Sequence, residues 1–115
     1  MSRYVTIQTW IRDRSLLLRV LDEMKVAYKE SQSRKGCSIR VQRGHTVVDL
    51  RQNETGCFAV RAIEEHVAEH REFLNSIQRN YAREKVIDLA RKAGFSVTSE
   101  RRTAEQEIVL EMTKW

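Results

Sequence analysis

His66-Val67-Ala68-Glu69-His70 has the residue types and spacing of a catalytic string. Two histidines at i and i+4 fall one turn apart on a helix, where both imidazoles can reach one zinc ion. The intervening glutamate is placed as a general base. That chemistry describes a small metal-dependent hydrolase. It also demands a third protein ligand and a substrate chamber, and 115 residues leave little room for either. The competing account is packing. His70 stands between Val67 and Leu74 on an apolar stripe, which suits a core-edge histidine hydrogen-bonded to a neighbour, with His66 beside the stripe near the surface. Metal binding by His66 and His70 is the weaker reading, and no cofactor is expected.

The thiols offer less. Arg34 and Lys35 precede Cys37 and would favour its thiolate, and His45 across a predicted hairpin could complete a Cys-His pair. No third group orders such a pair. Cys57 lies twenty positions on, without a CxxC or CxH neighbour, so both cysteines read as free thiols of a reducing compartment. Gly36, Gly44, Gly56 and Gly94 are isolated and no GxxxxGK string is present, so phosphate-loop chemistry is not indicated.

Charge points instead to binding. Lys and Arg number 21 against 16 Asp and Glu, a net charge of +5. The excess is uneven: residues 1–61 carry twelve basic and six acidic side chains, whereas residues 62–115 carry nine and ten. A basic first half fits an acidic protein partner or a polyanion. Tyr4, Trp10, Arg40, Arg43 and Arg51 are the predicted contact residues, because strand periodicity puts the two aromatics on the polar face of one strand and Arg40 on that of another. Those side chains could equally hold RNA or single-stranded nucleic acid, with a steep dependence on salt. Glu64, Glu65, Glu69 and Glu72 make the second half the opposite pole, which also allows head-to-tail self-association.

These residues must be positioned by a small set of elements. Val5, Ile7 and Ile11 alternate with polar neighbours, which predicts a first strand from Tyr4 to Ile11. Asp13 then caps a helix with Leu16, Leu17, Val20, Leu21 and Met24 on one face. Val26 to Lys29 reads as a short strand and residues 31–36 as a mobile basic loop. Ile39 and Val41, the break at Arg43-Gly44-His45, and Thr46 to Leu50 predict a hairpin, with a further strand from Cys57 to Ala62. From Ile63 a stripe through Val67, His70, Leu74, Ile77 and Tyr81 predicts a long helix. The stripe changes phase at Tyr81-Ala82, which predicts a bend or break, and Gly94 stops the helix. Phe95 and Val97, then Ile108, Leu110 and Met112, predict a C-terminal hairpin. The expected chain is a single α+β domain over residues 1–115, of order β-α-β-β-β-α-α-β-β. It has a mainly antiparallel sheet with two or three helices packed on one face.

Several of these segments are similar to a known family. Tyr4-Val5-Thr6-Ile7-Gln8-Thr9, Ile11-Arg12-Asp13, Phe73-Leu74, Gln78-Arg79-Asn80-Tyr81-Ala82, Ala93-Gly94-Phe95-Ser96-Val97, Ile108-Val109-Leu110 and Trp115 follow the order seen in proteins of hypothetical chloroplast reading frame thirty-five and their bacterial relatives. The resemblance covers both ends of the chain. Between about Gly36 and Arg61 this sequence is shorter and richer in arginine. The resemblance implies a small cytosolic or stromal accessory protein of a family of unknown function, and it transfers no catalytic residue.

The residues thus point first to a non-enzymatic binding or accessory protein acting on a protein partner, with nucleic-acid binding second and the HxxEH hydrolase third. The longest apolar run, Leu16-Leu17-Leu18, is far short of the roughly 20 residues that span a bilayer, and no basic-then-apolar leader opens the chain. A cytoplasmic protein without a membrane partner is expected.

Overall fold

The computed structural model describes residues 3–34, 36–105 and 107–114. Lys35 of the predicted loop and Trp115 of the resemblance lie outside them. The chain is α+β. Strand β1 (Tyr4–Gln8) leads to helix α1 (Arg14–Glu23), then to β2 (Ala27–Ser33), β3 (Gly36–Arg43), β4 (Thr46–Gln52) and β5 (Phe58–Ile63). A 3₁₀ turn over Glu64–His66 opens helix α2 (Val67–Lys92), and β6 (Phe95–Arg102) and β7 (Ile108–Lys114) close the fold. β2 to β5 form a meander and β1 adds beyond β5, giving a five-stranded antiparallel sheet of order β1-β5-β4-β3-β2.

Three expectations are corrected. The described residues hold two α-helices, not three, and four strands between them, so the order is β-α-β-β-β-β-α-β-β. The C-terminal hairpin forms its own two-stranded sheet and does not join the main one. Residues 31–33 are also not loop: β2 runs to Ser33 in register with β3. An edge strand has backbone partners on one side and needs few apolar residues, so Glu30 to Ser33 carry no periodic signal although they pair.

α1 starts where expected. The Asp13 carboxylate accepts from the Leu16 amide at 3.1 Å, a side-chain N-cap. Leu16, Leu17, Val20 and Leu21 are buried against the sheet. The helix ends in a Schellman turn in which Lys25 takes φ 57° and the Val26 amide donates to the Leu21 carbonyl.

α2 explains the phase change at Tyr81-Ala82 without a break. Its 26 residues span about 39 Å at 1.5 Å per residue, longer than the sheet they cover. Phe73, Leu74, Ile77 and Tyr81 are buried in the main core. Beyond them the core-facing stripe continues as Glu84 and Asp88, which meet Arg19 of α1, while Ala82 and Val86 turn to the C-terminal hairpin. The helix is continuous through a change of partner. Tyr81 marks the point: its hydroxyl oxygen accepts from the Asp13 amide at 3.2 Å, tying α2 to the α1 cap.

The core lies between one sheet face and the two helices. Ile7, Cys37, Ile39, Val41, Val48, Leu50, Phe58, Val60 and Ala62 supply the sheet side. Alternation sends their neighbours to the opposite face, which no helix covers. No residue of the β6–β7 hairpin is buried among those described.

Candidate binding surface on the open sheet face

Strand register builds the uncovered face. Lys29 of β2 lies directly opposite Arg40 of β3, and Arg40 opposite Asp49 of β4. Two residues along the same strands, Ser31 lies opposite Ser38, and Ser38 opposite Arg51. The six side chains make a grid two rows deep and three strands wide. They line one shallow groove of about 280 Å³.

Within the grid, Arg40 is paired with Asp49. Its Nε donates to Oδ1 at 3.0 Å and its second terminal nitrogen to Oδ2 at 3.3 Å, a bidentate arrangement that raises the guanidinium pKa further. Lys29 and Arg51 have no carboxylate partner among the described residues. Arg61 of β5 extends the cationic band toward β1 and stacks over the Tyr4 ring, 4.3 Å from its centroid.

The predicted contact residues therefore divide. Arg40 and Arg51 share the open face, and Tyr4 stands at its far edge with Arg61. Trp10 does not lie on the first strand, which ends at Gln8: Thr9 and Ile11 turn inward, and Trp10 stands 87% exposed in the connection to α1. Tyr4 and Trp10 are about 20 Å apart along an extended chain, too far to stack on one base. Arg43 is misplaced by the sequence reading. It belongs to the parity of Ile39 and Val41, and its guanidinium sits 4.4 Å over the Phe73 ring on the helix side. Lys29, Ser31, Ser38 and Arg61 are not among the residues predicted from sequence, because the register that aligns them across strands is set only on folding.

The histidine string is not one continuous helical face. His66 belongs to the 3₁₀ turn and caps α2, with φ −110° and ψ 5°, whereas Glu69 and His70 lie inside the helix. His66 and Glu69 are exposed. His70 Nδ1 is buried and bonds to no described residue, so the expected hydrogen bond to a neighbour is not made. Among the described residues no three of His, Cys, Asp and Glu converge to hold a metal.

The thiols likewise rearrange. Cys37 is buried on the core face of β3, while His45 is exposed at the turn beyond the far end of that strand, so no Cys-His pair forms between them. Cys57 is the thiol beside a cation: the Arg12 Nε donates to its Sγ at 3.2 Å, which with the Thr55 hydroxyl lowers its pKa.

A second charged cluster, unforeseen from sequence, joins α1, α2 and β6. Arg83 bridges Glu84 and Glu100, with one donor 2.8 Å from Glu100 Oε2, and lies 3.9 Å from Glu23. Arg19 reaches Glu84 at 3.2 Å and Asp88 at 2.9 Å. Arg83 pulls the Glu100 pKa down, and Arg19 does the same to Asp88. Glu23 moves the other way, raised by partial burial and by its hydrogen bond with Glu84. Alongside, Ala82 and Val86 of α2 and Ile108, Leu110 and Met112 of β7 line an apolar groove of about 640 Å³.

Comparison with known proteins adds family membership. A family model described as a protein of unknown function (DUF1257) matches residues 20–110, and the chain belongs to that family. No curated protein matches the chain. No helix among the described residues is long and apolar enough to cross a membrane.

Proposed function

We propose that this DUF1257 chain is a single-domain, non-enzymatic accessory protein that docks an acidic protein partner on the open face of its five-stranded sheet. One observation carries the reading: a sheet face left bare by both helices bears Lys29, Arg40, Arg51 and Arg61 against a single carboxylate, Asp49. Exposed Tyr4 and Trp10 at the two ends of the β1 edge supply anchoring area. The finer likeness to the reading frame thirty-five family, and with it a cytoplasmic accessory role, belongs to the same proposal.

Binding of RNA or single-stranded nucleic acid is the second reading, favoured by the same cationic band. Base stacking needs aromatic rings on the central strands. The described residues of the open face on β2 to β5 have none. The hydrolase reading rests on His66, Glu69 and His70 alone.

Affinity capture of the tagged protein from its native cell extract, with and without nuclease, tests the proposal. A stoichiometric protein retained after nuclease, and lost from the Arg40→Glu and Arg51→Glu variants, is expected. Recovery that disappears with nuclease would replace the first reading by the second. His70→Ala is expected to lower thermal stability without changing metal content; a matched loss of bound metal would revive the third.

A further inference from the structure

Three features of the grid are not explained by folding. Lys29 and Arg40 are like charges directly opposite each other in register, an arrangement that costs a sheet stability. Lys29 and Arg51, at diagonal corners, have no ionic partner among the described residues, although Asp49 shows that the face can seat a carboxylate. The Ser31 and Ser38 hydroxyls between them bond to no other described residue, leaving two donors beside three cations. With strands about 4.8 Å apart and about 3.4 Å per residue, the grid measures about 10 by 7 Å. Long side chains at its corners can converge on one small anion.

The charge balance selects the anion. Lys29, Arg40 and Arg51 less Asp49 leave two positive charges. A carboxylate has one charge and two oxygens, and a nucleic-acid diester has one charge per phosphate. A phosphomonoester carries close to two charges at neutral pH and presents three strong acceptor oxygens. It satisfies both free cations and both hydroxyls at once.

We infer that the groove lined by Lys29, Ser31, Ser38, Arg40, Asp49 and Arg51 is a phosphomonoester site, and that the docked partner presents a phosphorylated serine or threonine to it. The inference rests on the docking reading above and names the chemistry recognised there. Arg51 and Lys29 clamp the phosphoryl oxygens from two sides, the serines donate between them, and Asp49 fixes the Arg40 guanidinium beside the anion through its two hydrogen bonds.

The test is titration of the isotope-labelled full chain with N-acetyl-O-phosphoserine amide, followed by the backbone amide NMR signals. Saturable shifts centred on Ser31, Ser38 and Arg51 are expected, with affinity at least about tenfold weaker for dimethyl phosphate, a monoanionic diester. Affinity should also fall as pH drops through the second phosphate ionisation near about 6. The Lys29→Gln, Arg51→Gln double variant should lose the shifts while resisting urea at least as well as the parent chain, since both side chains are exposed. Equal affinity for the diester, shifts spread over the whole chain, or tighter binding of a single-stranded oligonucleotide would overturn the inference. A captured partner that depends on Arg51 yet survives phosphatase treatment also overturns it and leaves the docking reading standing. Saturable phosphoserine binding in a protein that captures no partner supports the site and overturns the docking reading.

Discussion

On the open sheet face, Lys29, Arg40 and Arg51 stand around one carboxylate, Asp49, which pairs with Arg40. At the junction of α1, α2 and β6, Arg19 and Arg83 face four: Glu23, Glu84, Asp88 and Glu100. The same residue types do opposite work. Where acids outnumber cations and Glu84 is buried, arginine holds elements together. Where cations outnumber acids on an exposed surface, those without a carboxylate contribute little to the fold, and the uncompensated charge is available to a partner. Net charge per chain or per half averages over this contrast; only the count of acids around each cation exposes it.

The contrast breaks first at Arg83. Arg83→Ala leaves the buried Glu84 carboxylate with Arg19 as its one remaining arginine partner among the described residues and unties β6. Breaking a buried ion pair costs about 3–5 kcal/mol, and solvent access to Arg83 and Glu100, 23% and 31% exposed, reduces this to about 2–3 kcal/mol. Urea unfolding should show that loss. Arg51→Glu should change the unfolding free energy by less than about 0.5 kcal/mol, yet weaken partner or phosphoserine binding at least about tenfold, about 1.4 kcal/mol. Equal effects of the two substitutions on stability would erase the distinction.

Acid should separate the carboxylates within the junction. Glu23 has a raised pKa, so its contribution to stability is complete below the ordinary carboxylate range and is lost as pH rises through its folded value. Glu100 and Asp88 are depressed, so theirs is complete above that range and is lost as pH falls through their folded values. Stability measured by thermal melting should therefore rise slightly as pH drops from neutral through the Glu23 transition, then fall at stronger acid. Glu23→Gln should remove the rise and keep the fall; a profile unchanged by that variant would detach Glu23 from the network.

The smallest effect belongs to Lys29→Gln. Relief of the like-charge pair with Arg40 should stabilise the protein by about 0.2–0.5 kcal/mol while weakening binding at the grid. Chemical denaturation and the phosphoserine titration would then move in opposite directions. Movement in the same direction would mean that Lys29 serves the fold.

Much of the architecture was readable from local pattern. The Asp13 cap, the α1 stripe, the turns at Arg43-Gly44-His45 and around Gly56, and the C-terminal hairpin each depend on neighbours within a few residues. The errors lie where a segment takes its character from a distant partner. β2 is a strand because β3 supplies its hydrogen bonds, not because Lys29 to Ser33 alternate in hydropathy. α2 continues past Tyr81 because the hairpin replaces the sheet as its packing surface. Arg43 resembles Arg40 and Arg51 in the sequence, and one step of strand parity sends it to Phe73.

The sequence by itself determined the α+β class, the positions of the caps and turns, and a basic first half, since these follow from backbone propensity, local hydrogen bonding and composition. Tertiary structure decided which charges are spent on each other and which are left over. That decision rests on antiparallel register, which brings Lys29, Arg40 and Asp49 into one row and Ser31, Ser38 and Arg51 into the next. It rests equally on helix packing, which brings Arg19 and Arg83 against carboxylates from three elements. Coulomb interactions act over a few ångströms in space, and the chain brings those partners together only when it folds.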